Sequence, residues 1–442
     1  MKVFNYSFFS FFRKNANGGL LLIISAILAI IIANSEYTLL YSNFLAYTLS
    51  FYVGDTNILS HHGNPFTIKT MINDCLMVIF FFHVGLEIKR EVLVGELSSI
   101  RKAMLPVIAA IGGVITPVGI YLLFNHDALS IRGAAIPMAT DIAFALGILF
   151  LLGKRVPLSL KIFLTAFAIV DDIGGILVIA FLYTSSLDVS SLFIGISLFV
   201  GLLIINKIGI YAKTIYILVG VLIWFFFLQS GVHSTIAGVL VALAIPADPR
   251  LDIKKYIDRM KKSIQSFSYT DNKDIVLTHE QIYELKNIEA ASDRVISPLQ
   301  YMEDKLGAFV NYIILPLFAF ANAGIVLSDN WNELLGVVTF GVAIGLFVGK
   351  LIGISLFTWL SVKLNITTLP EEIKWEYILG VACLGGVGFT VAIFMANLSF
   401  GDSSSIYLNQ AKFGIIVGSI LSGVVGYILL NKALPKKTAA TK

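Results

Sequence analysis

KIFLTAFAIVDDIGGILVIAFL, residues 161–182, sets Asp171 and Asp172 side by side in a stretch otherwise uncharged from Ile162 to Leu187. That stretch is long enough to cross a bilayer, which takes about 20 apolar residues. Each charge at the centre of a membrane helix costs on the order of 2.5–3.5 kcal/mol on insertion scales, and acids held there mark ion or proton pathways. The same cost recurs twice. Asp141 is the only charge between Gly133 and Gly153, and Lys350 the only one between Leu334 and Val362. Three carboxylates and one ammonium inside apolar helices are what the fold must accommodate.

The 442 residues are 57% hydrophobic and 14% charged, against roughly 25% charged in an average soluble domain, and mean hydropathy is +0.85. This composition describes an all-α polytopic membrane protein and excludes a soluble domain with a large core. Cys75 and Cys383, the only cysteines, lie in apolar spans without paired spacing, so neither a disulfide framework nor a zinc site is expected. Apolar segments fall at about 18–35, 71–88, 103–124, 134–152, 158–183, 190–206, 213–229, 232–246, 308–327, 334–359, 377–399 and 410–431. Twelve spans put both termini on one side. Sorting Lys and Arg by alternate loops gives eighteen on that side, against three opposite: Lys69, Arg132 and Lys412. The asymmetry places both termini in the cytoplasm. The first apolar run follows Arg13 and Lys14 but lacks a small-residue cleavage site, so it reads as a retained helix. The aromatic run Phe4 to Phe12 is either interfacial or a plain hydrophobic lead-in.

The membrane domain occupies 1–247 and 306–431, interrupted by a charged cytoplasmic connector at 248–305 and followed by a cytoplasmic tail at 432–442. The connector has patches of helical pattern but too little apolar content for a core, and it reads as solvated. Outside the membrane, LSFYVGDTNIL (49–59) alternates around Gly54 and Asp55, the pattern of a short hairpin. Two spans, about 134–152 and 377–399, carry breakers at mid-depth. GAAIPMATDIAFALG puts Pro137 four residues before Asp141, and ILGVACLGGVGFTVAIF gathers Gly385, Gly386 and Gly388. Proline removes a backbone hydrogen bond and disfavours helix in the residue before it. Irregular backbone at that depth survives only where protein or water surrounds it. A single kinked helix is common; a broken span in each half of a chain points to a transporter's site, a rule drawn in part from the family named below.

Helix arithmetic sets the charges at one depth. At 1.5 Å per residue, Asp141 lies roughly 20 Å from Lys154, Lys350 roughly 20 Å from Lys363, and Asp171 about 15 Å from Lys161. Asp171 and Asp172 differ by about 100° around their helix, so one can meet Asp141 while the other meets Lys350. Gly341, Gly345, Gly349 and Gly353 form a four-residue ladder in the span of Lys350, as do Gly414, Gly418, Ser422 and Gly426 in the last span. Such stripes let backbones approach closely, here within one chain. Carboxylates gathered at mid-membrane suit a hard cation such as sodium, which takes oxygen ligands much as calcium and magnesium do. The same oxygens bind protons, and adjacent acids titrate as a coupled unit. Competition for one set of oxygens couples the two ions.

MATDIAFALGILFLLG (138–153), KIFLTAFAIVDDIGGILVIA (161–180), SGVHSTIAG (230–238), LPLFAFANAGI (315–325) and LGGVGFTVAIF (384–394) resemble the NhaA sodium/proton antiporters. INDCLMVIFFFHVGLEIKREVLVGELSS (72–99) is similar too, and the match runs from about Asn15 to Leu430. The resemblance implies twelve helices with inverted-topology repeats, the two broken helices crossing near Asp141 and Lys350. It implies that Asp172 is the principal cation ligand, with Asp171 beside it and Thr140 nearby. Asp141 and Lys350 match the residues that balance the exposed half-helix ends, in keeping with the dipole rule. Sodium or lithium and protons are the implied cargo, with no cofactor and no nucleic-acid partner. Members of the family are commonly pH-regulated and electrogenic, and the positions matching regulatory ones are Glu87, Glu91, His233 and Glu303. Each has a plainer reading: GLEIKRE as a charged cytoplasmic helix end, His233 as a hydrogen-bonded helix start. His61 and His62 read as solvated loop residues. The connector is longer than is usual in the family. Besides membrane lipids, the implied partner is a second copy, joined through the hairpin near Gly54.

Three other functions compete. A sodium- or proton-coupled solute symporter shares broken helices but needs polar groups for an organic substrate, and the mid-span segments offer little beyond the ion-binding set. An intramembrane aspartic protease also uses two acids, the second in a Gly-x-Gly-Asp context; here the contexts are ATDIAF and IVDDIGG, and a protease has no use for Lys350. A channel would use a repeated ring rather than a compact acid cluster.

Overall fold

Length and composition alone dictate a helical solution, because a bilayer leaves backbone N–H and C=O groups no partner outside the helix itself. The computed structural model describes residues 17–50, 52–53, 56–57, 66–182, 187–248, 253–266, 277–326, 331–401 and 405–435. Its helices are α1 (Asn17–Ala33), α2 (Thr38–Ala46), α3 (Ile68–Val94), α4 (Ile100–Phe124), α5 (Ile142–Leu151), α6 (Leu158–Leu182), α7 (Val189–Lys207) and α8 (Lys213–Ser230). They continue with α9 (Thr235–Ala244), α10 (Ile253–Ser266), α11 (His279–Val295), α12 (Pro298–Asn322), α13 (Val337–Lys363), α14 (Trp375–Gly385), α15 (Phe389–Phe400) and α16 (Ser405–Ala433). Among the described residues eight helices are long and apolar enough to cross a membrane unaided: α3, α4, α6, α7, α8, α12, α13 and α16. Three bent pairs join them: α1 with α2 at 113°, the 3-10 segment Ser130–Met138 with α5 at 41°, and α14 with α15 at 42°. With the short apolar α9, each of the twelve apolar segments carries helix, and the chain is an all-α polytopic membrane protein.

The extracted hairpin is small. Tyr52–Val53 pairs antiparallel with Thr56–Asn57, in the register Tyr52 to Asn57 and Val53 to Thr56. Gly54, Asp55, His61, His62 and the run Phe4 to Phe12 lie outside the described residues. In the connector, α10 and α11 pack on each other, and the hydroxyls of Tyr256 and Ser292 meet at 3.1 Å. A capping box starts α11: the Thr278 hydroxyl accepts from the Gln281 N–H, and the Gln281 side chain accepts from the Thr278 N–H. The next helix, α12, runs unbroken from Pro298, so Glu303 stands on a membrane helix rather than in the connector.

Lys412 requires a correction. Counted from the sequence with the loops, it lies two turns inside α16 and is buried. Its neighbours Gln410 and Ala411 are buried too, so the helix begins earlier than hydropathy indicates. Lys412 therefore stands with the buried charges and not with the loops.

Close helix packing makes the site possible. The ladder on α13 faces α4: Gly345 meets Pro117 and Pro137, Gly349 meets Pro117, and Gly353 meets Gly112 and Thr116. The ladder on α16 meets Thr339, Ala343 and Leu384. Both ladders therefore close contacts within the chain. Between Gly345 and Gly349 the α13 backbone widens into a π-turn, and Lys350 follows directly. Such turns re-aim the residues beyond them and often sit at functional sites.

A Cβ at Gly349 would stand 2.7 Å from the Pro117 Cα, backbone that cannot rotate aside. Gly349→Ala should therefore cost about 1–3 kcal/mol, the usual penalty for overpacking, seen as a lower melting temperature in detergent. An unchanged midpoint would show that α4 and α13 part freely.

Candidate functional site

The two broken spans meet backbone to backbone. The Asp141 N–H donates to the Val387 carbonyl at 2.7 Å, and the Thr140 hydroxyl donates to the Gly385 carbonyl at 2.6 Å. Glycine allows this by size rather than by conformational freedom, since Gly386 and Gly388 have φ of −81° and −90°. A Cβ at Gly388 would stand 2.9 Å from the Ala139 carbonyl oxygen.

Each break leaves helix-end groups without partners inside their own helix. Asp141 answers both starts at once. It caps α5 by accepting from the Phe144 N–H at 3.0 Å. Across the crossing it accepts from the Thr390 N–H at 3.2 Å and the Thr390 hydroxyl at 2.5 Å, in the first turn of α15. One carboxylate thus faces the positive ends of two half-helices, as the dipole rule favours.

Lys350 serves the opposite ends through an intermediary. Its ammonium donates to the Thr140 hydroxyl at 3.0 Å, and that hydroxyl in turn reaches the last carbonyl of α14. The main partner of Lys350 is Asp171, gripped through both oxygens at 2.9 and 2.8 Å. Lys350 is wholly buried, Asp171 is 2% exposed, and the Phe167 ring lies 5.5 Å from the ammonium.

Asp172, one residue on, points elsewhere. Among the described residues no hydrogen bond or ion pair ties its carboxylate, although it is only 7% exposed. The acids within electrostatic reach are Asp171, Glu87 and Asp141, with Lys350 the cation. The sequence allowed one aspartate to meet Asp141 directly; in the structure Asp141 is engaged by the half-helix ends, and Asp171 takes the lysine.

Thr140, Asp141, Asp171, Asp172, Lys350, Gly385, Gly386 and Gly388 are therefore gathered in one place. Glu87, Glu91 and Glu303 form a second group nearer the end of α3. Arg90 bridges Glu91 at 3.0 Å and Glu303 at 2.8 Å, while His83 stands 4.0 Å from Glu87. His233 belongs to neither group. Its ring contacts the Thr235 hydroxyl at 2.7 Å at the start of α9, and it packs edge-on against Phe394 at 5.4 Å. Sequence reasoning missed Thr390, Arg90 and His83. Thr390 lies inside LGGVGFTVAIF but is uncharged, and Arg90 lies in GLEIKRE, where nothing in the sequence shows its reach to Glu303.

Just before the first broken span, the Ser130 hydroxyl and N–H donate to Asp127. These bonds hold the Asp127 carboxyl below its usual range.

Comparison with known proteins places this geometry. The family model described as Na+/H+ antiporter 1 matches residues 9–430. A Na(+)/H(+) antiporter NhaA of Bacteroides thetaiotaomicron is 54% identical over 96% of this chain and 97% of its own length. One from Bacteroides fragilis is 53% identical over 97% and 98%, and one from Helicobacter pylori 42% identical over 98% and 97%.

Removing one partner of a buried pair strands the other charge, typically at about 3–5 kcal/mol. Lys350→Ala should lose stability of that order, through the isolated Asp171 carboxylate, as a depressed melting temperature of the purified protein. A midpoint equal to that of the parent would mean that Asp171 does not depend on the ion pair.

Proposed function

The chain belongs to the Na+/H+ antiporter 1 family and is a sodium/proton antiporter, and we propose that Asp172, with Asp171, is where its two ions compete. The observation that carries this reading is the contrast between neighbours. Asp171 is held by the only ammonium at that depth, whereas Asp172 is buried without a hydrogen bond or ion pair among the described residues. A buried carboxylate with no donor of its own must bind a proton or a cation.

Sodium enters as substrate. Among the described residues no three His, Cys, Asp or Glu side chains converge as a metal site. Two carboxylates are then the charged ligands, and a hard cation fills its shell with neutral oxygens, for which the Thr140 hydroxyl is the nearest candidate. Asp171 becomes a full ligand only by releasing Lys350, so cation entry competes with the ammonium as well as with protons. Lithium, with the same charge and the same preference for oxygen, fits the same set. The symporter and protease readings give way to exchange.

The direction of exchange is set by the inward proton gradient, and the charge asymmetry orients the chain within it. With both termini in the cytoplasm of the bacterial inner membrane, cytoplasmic sodium leaves as external protons enter. Glu91 and Glu303, joined through Arg90, and Glu87 beside His83 are the candidates for pH regulation on that side, with His233 a separate one against α15. Displacing more than one proton per sodium would make the exchange electrogenic.

Competition fixes the sign of the pH dependence. At low pH protons occupy the carboxylates and sodium must displace them; as pH rises the site empties. Apparent sodium affinity should therefore rise with pH, by up to about tenfold per unit for each proton displaced, as read by calorimetry on the purified protein. Asp172→Asn removes both the charged ligand and the titrating group, so sodium-dependent proton flux in proteoliposomes should vanish at every pH. Normal flux from that variant, or an affinity that ignores pH in the parent, would sink the shared-site reading.

We also propose that the strand pair Tyr52–Val53 and Thr56–Asn57 joins two copies. Two strands alone make a marginal sheet, and pairing with a second hairpin is a common remedy. Deleting 49–59 should yield monomer by light scattering while exchange survives, because the site lies within one chain. A deletion variant that stays dimeric places the interface elsewhere.

A further inference from the structure

Between α1, α5, α15 and α16 the helices leave a cavity of about 440 Å³. Its walls are apolar, with Ile27 of α1, Phe144 of α5, Phe389 of α15, and Ile416, Ile420 and Tyr427 of α16. The cavity opens sideways: Leu151, Ile420 and Val424 on its rim are 72%, 59% and 53% exposed. Beside a membrane-spanning helix, the medium at such an opening is hydrocarbon.

Its length suggests the occupant. Along α16 the lining runs from Ile416 to Tyr427, about 16 Å at 1.5 Å per residue. Half of a ~30 Å hydrocarbon core is about 15 Å, the depth of one leaflet. The shallow end carries Tyr427, and tyrosine favours the headgroup level. One turn beyond, on both walls, stands a cationic anchor. Arg155, four residues after Leu151, donates to the Asn431 side chain at 2.6 Å, four residues after Tyr427, and Lys432 is exposed next to it.

We propose that this groove binds one anionic phospholipid, with an acyl chain along α16 and its phosphate at Arg155 and Lys432. The deep end of the chain rests where both broken spans restart. The rings of Phe144 and Phe389 stand 5.7 Å apart. The Phe144 N–H donates to Asp141, and the Phe389 N–H donates to the Ser419 hydroxyl at 3.3 Å. A seated acyl chain fills the space between these half-helices and α1, so it supports the crossing from the lipid side.

The test uses the full chain in nanodiscs of phosphatidylcholine with increasing phosphatidylglycerol, and reads retained lipid by native mass spectrometry. The parent should retain one phosphatidylglycerol per chain in preference to phosphatidylcholine. Ile420→Trp, which fills the groove from its exposed rim, should abolish retention. Arg155→Gln should weaken it about fivefold, the worth of one basic residue at an anionic surface. Melting temperatures close to that of the parent confirm that both variants are folded. Retention unchanged in Ile420→Trp, or no preference between the two lipids in the parent, overturns the proposal. Neither readout depends on ion exchange, so the lipid site and the shared-ion site fail separately.

Discussion

Asp141 is the residue on which the rest of the membrane domain depends. A broken helix at mid-membrane frees N–H and C=O groups where no bulk water can take them, each at a cost of several kcal/mol. Two breaks brought together share the burden. Asp141 supplies acceptors to both half-helix starts, its own N–H takes up the Val387 carbonyl, and Thr140 takes up that of Gly385. The glycines then follow from space, since these backbones must touch. The Gly345–Gly353 ladder follows too, because α13 must lie close enough to α4 and the crossing for Lys350 to reach in.

That arrangement sets the local charge. Lys350 has Asp171 and Asp172 within its electrostatic reach, bonds the first, and leans on the Thr140 hydroxyl. Two acids beside one buried ammonium leave one negative charge without a fixed counter-charge among the described residues. On the shared-site proposal, protons balance it in one half of an exchange cycle and a cation in the other. The lysine holds Asp171, which leaves Asp172 as the acid without a hydrogen bond or ion pair among the described residues.

Much of this could be read from the sequence because the membrane simplifies the code. Apolar length marked the twelve segments, and charges inside them were anomalies that pointed at Asp141, Asp171, Asp172 and Lys350. Pro137 and the 385–388 glycines located the breaks. What escaped was anything that depends on a partner distant in the chain. Lys412 looked like a loop residue because hydropathy averages over a window, and only its neighbours show it buried. Glu303 looked like connector because Asp304 and Lys305 flank it, yet Arg90 holds it on a membrane helix. Thr390 carries no charge, so nothing distinguished it from the other hydroxyls. The approximately 100° between Asp171 and Asp172 showed that they differ but not which one takes the lysine, since that depends on the rotation of α6 against α13.

The three acids show how similar side chains at one depth come to do different work. An ionised carboxylate has about four lone-pair sites for hydrogen bonds. Three donors from two half-helix starts take up most of those on Asp141, so a cation needing both of its oxygens would compete with bonds that hold the fold together. Asp171 has both oxygens on one ammonium, which can be exchanged only if Lys350 moves or loses its charge. Asp172 has no such donor among the described residues, and a cation or proton reaching it displaces nothing structural. The number of donors already committed, more than depth or burial, therefore sorts these residues into a structural acid, a gated acid and an open one. If ions bind as proposed, that order lets the crossing stay intact while they come and go, without unfolding the broken helices that create the site.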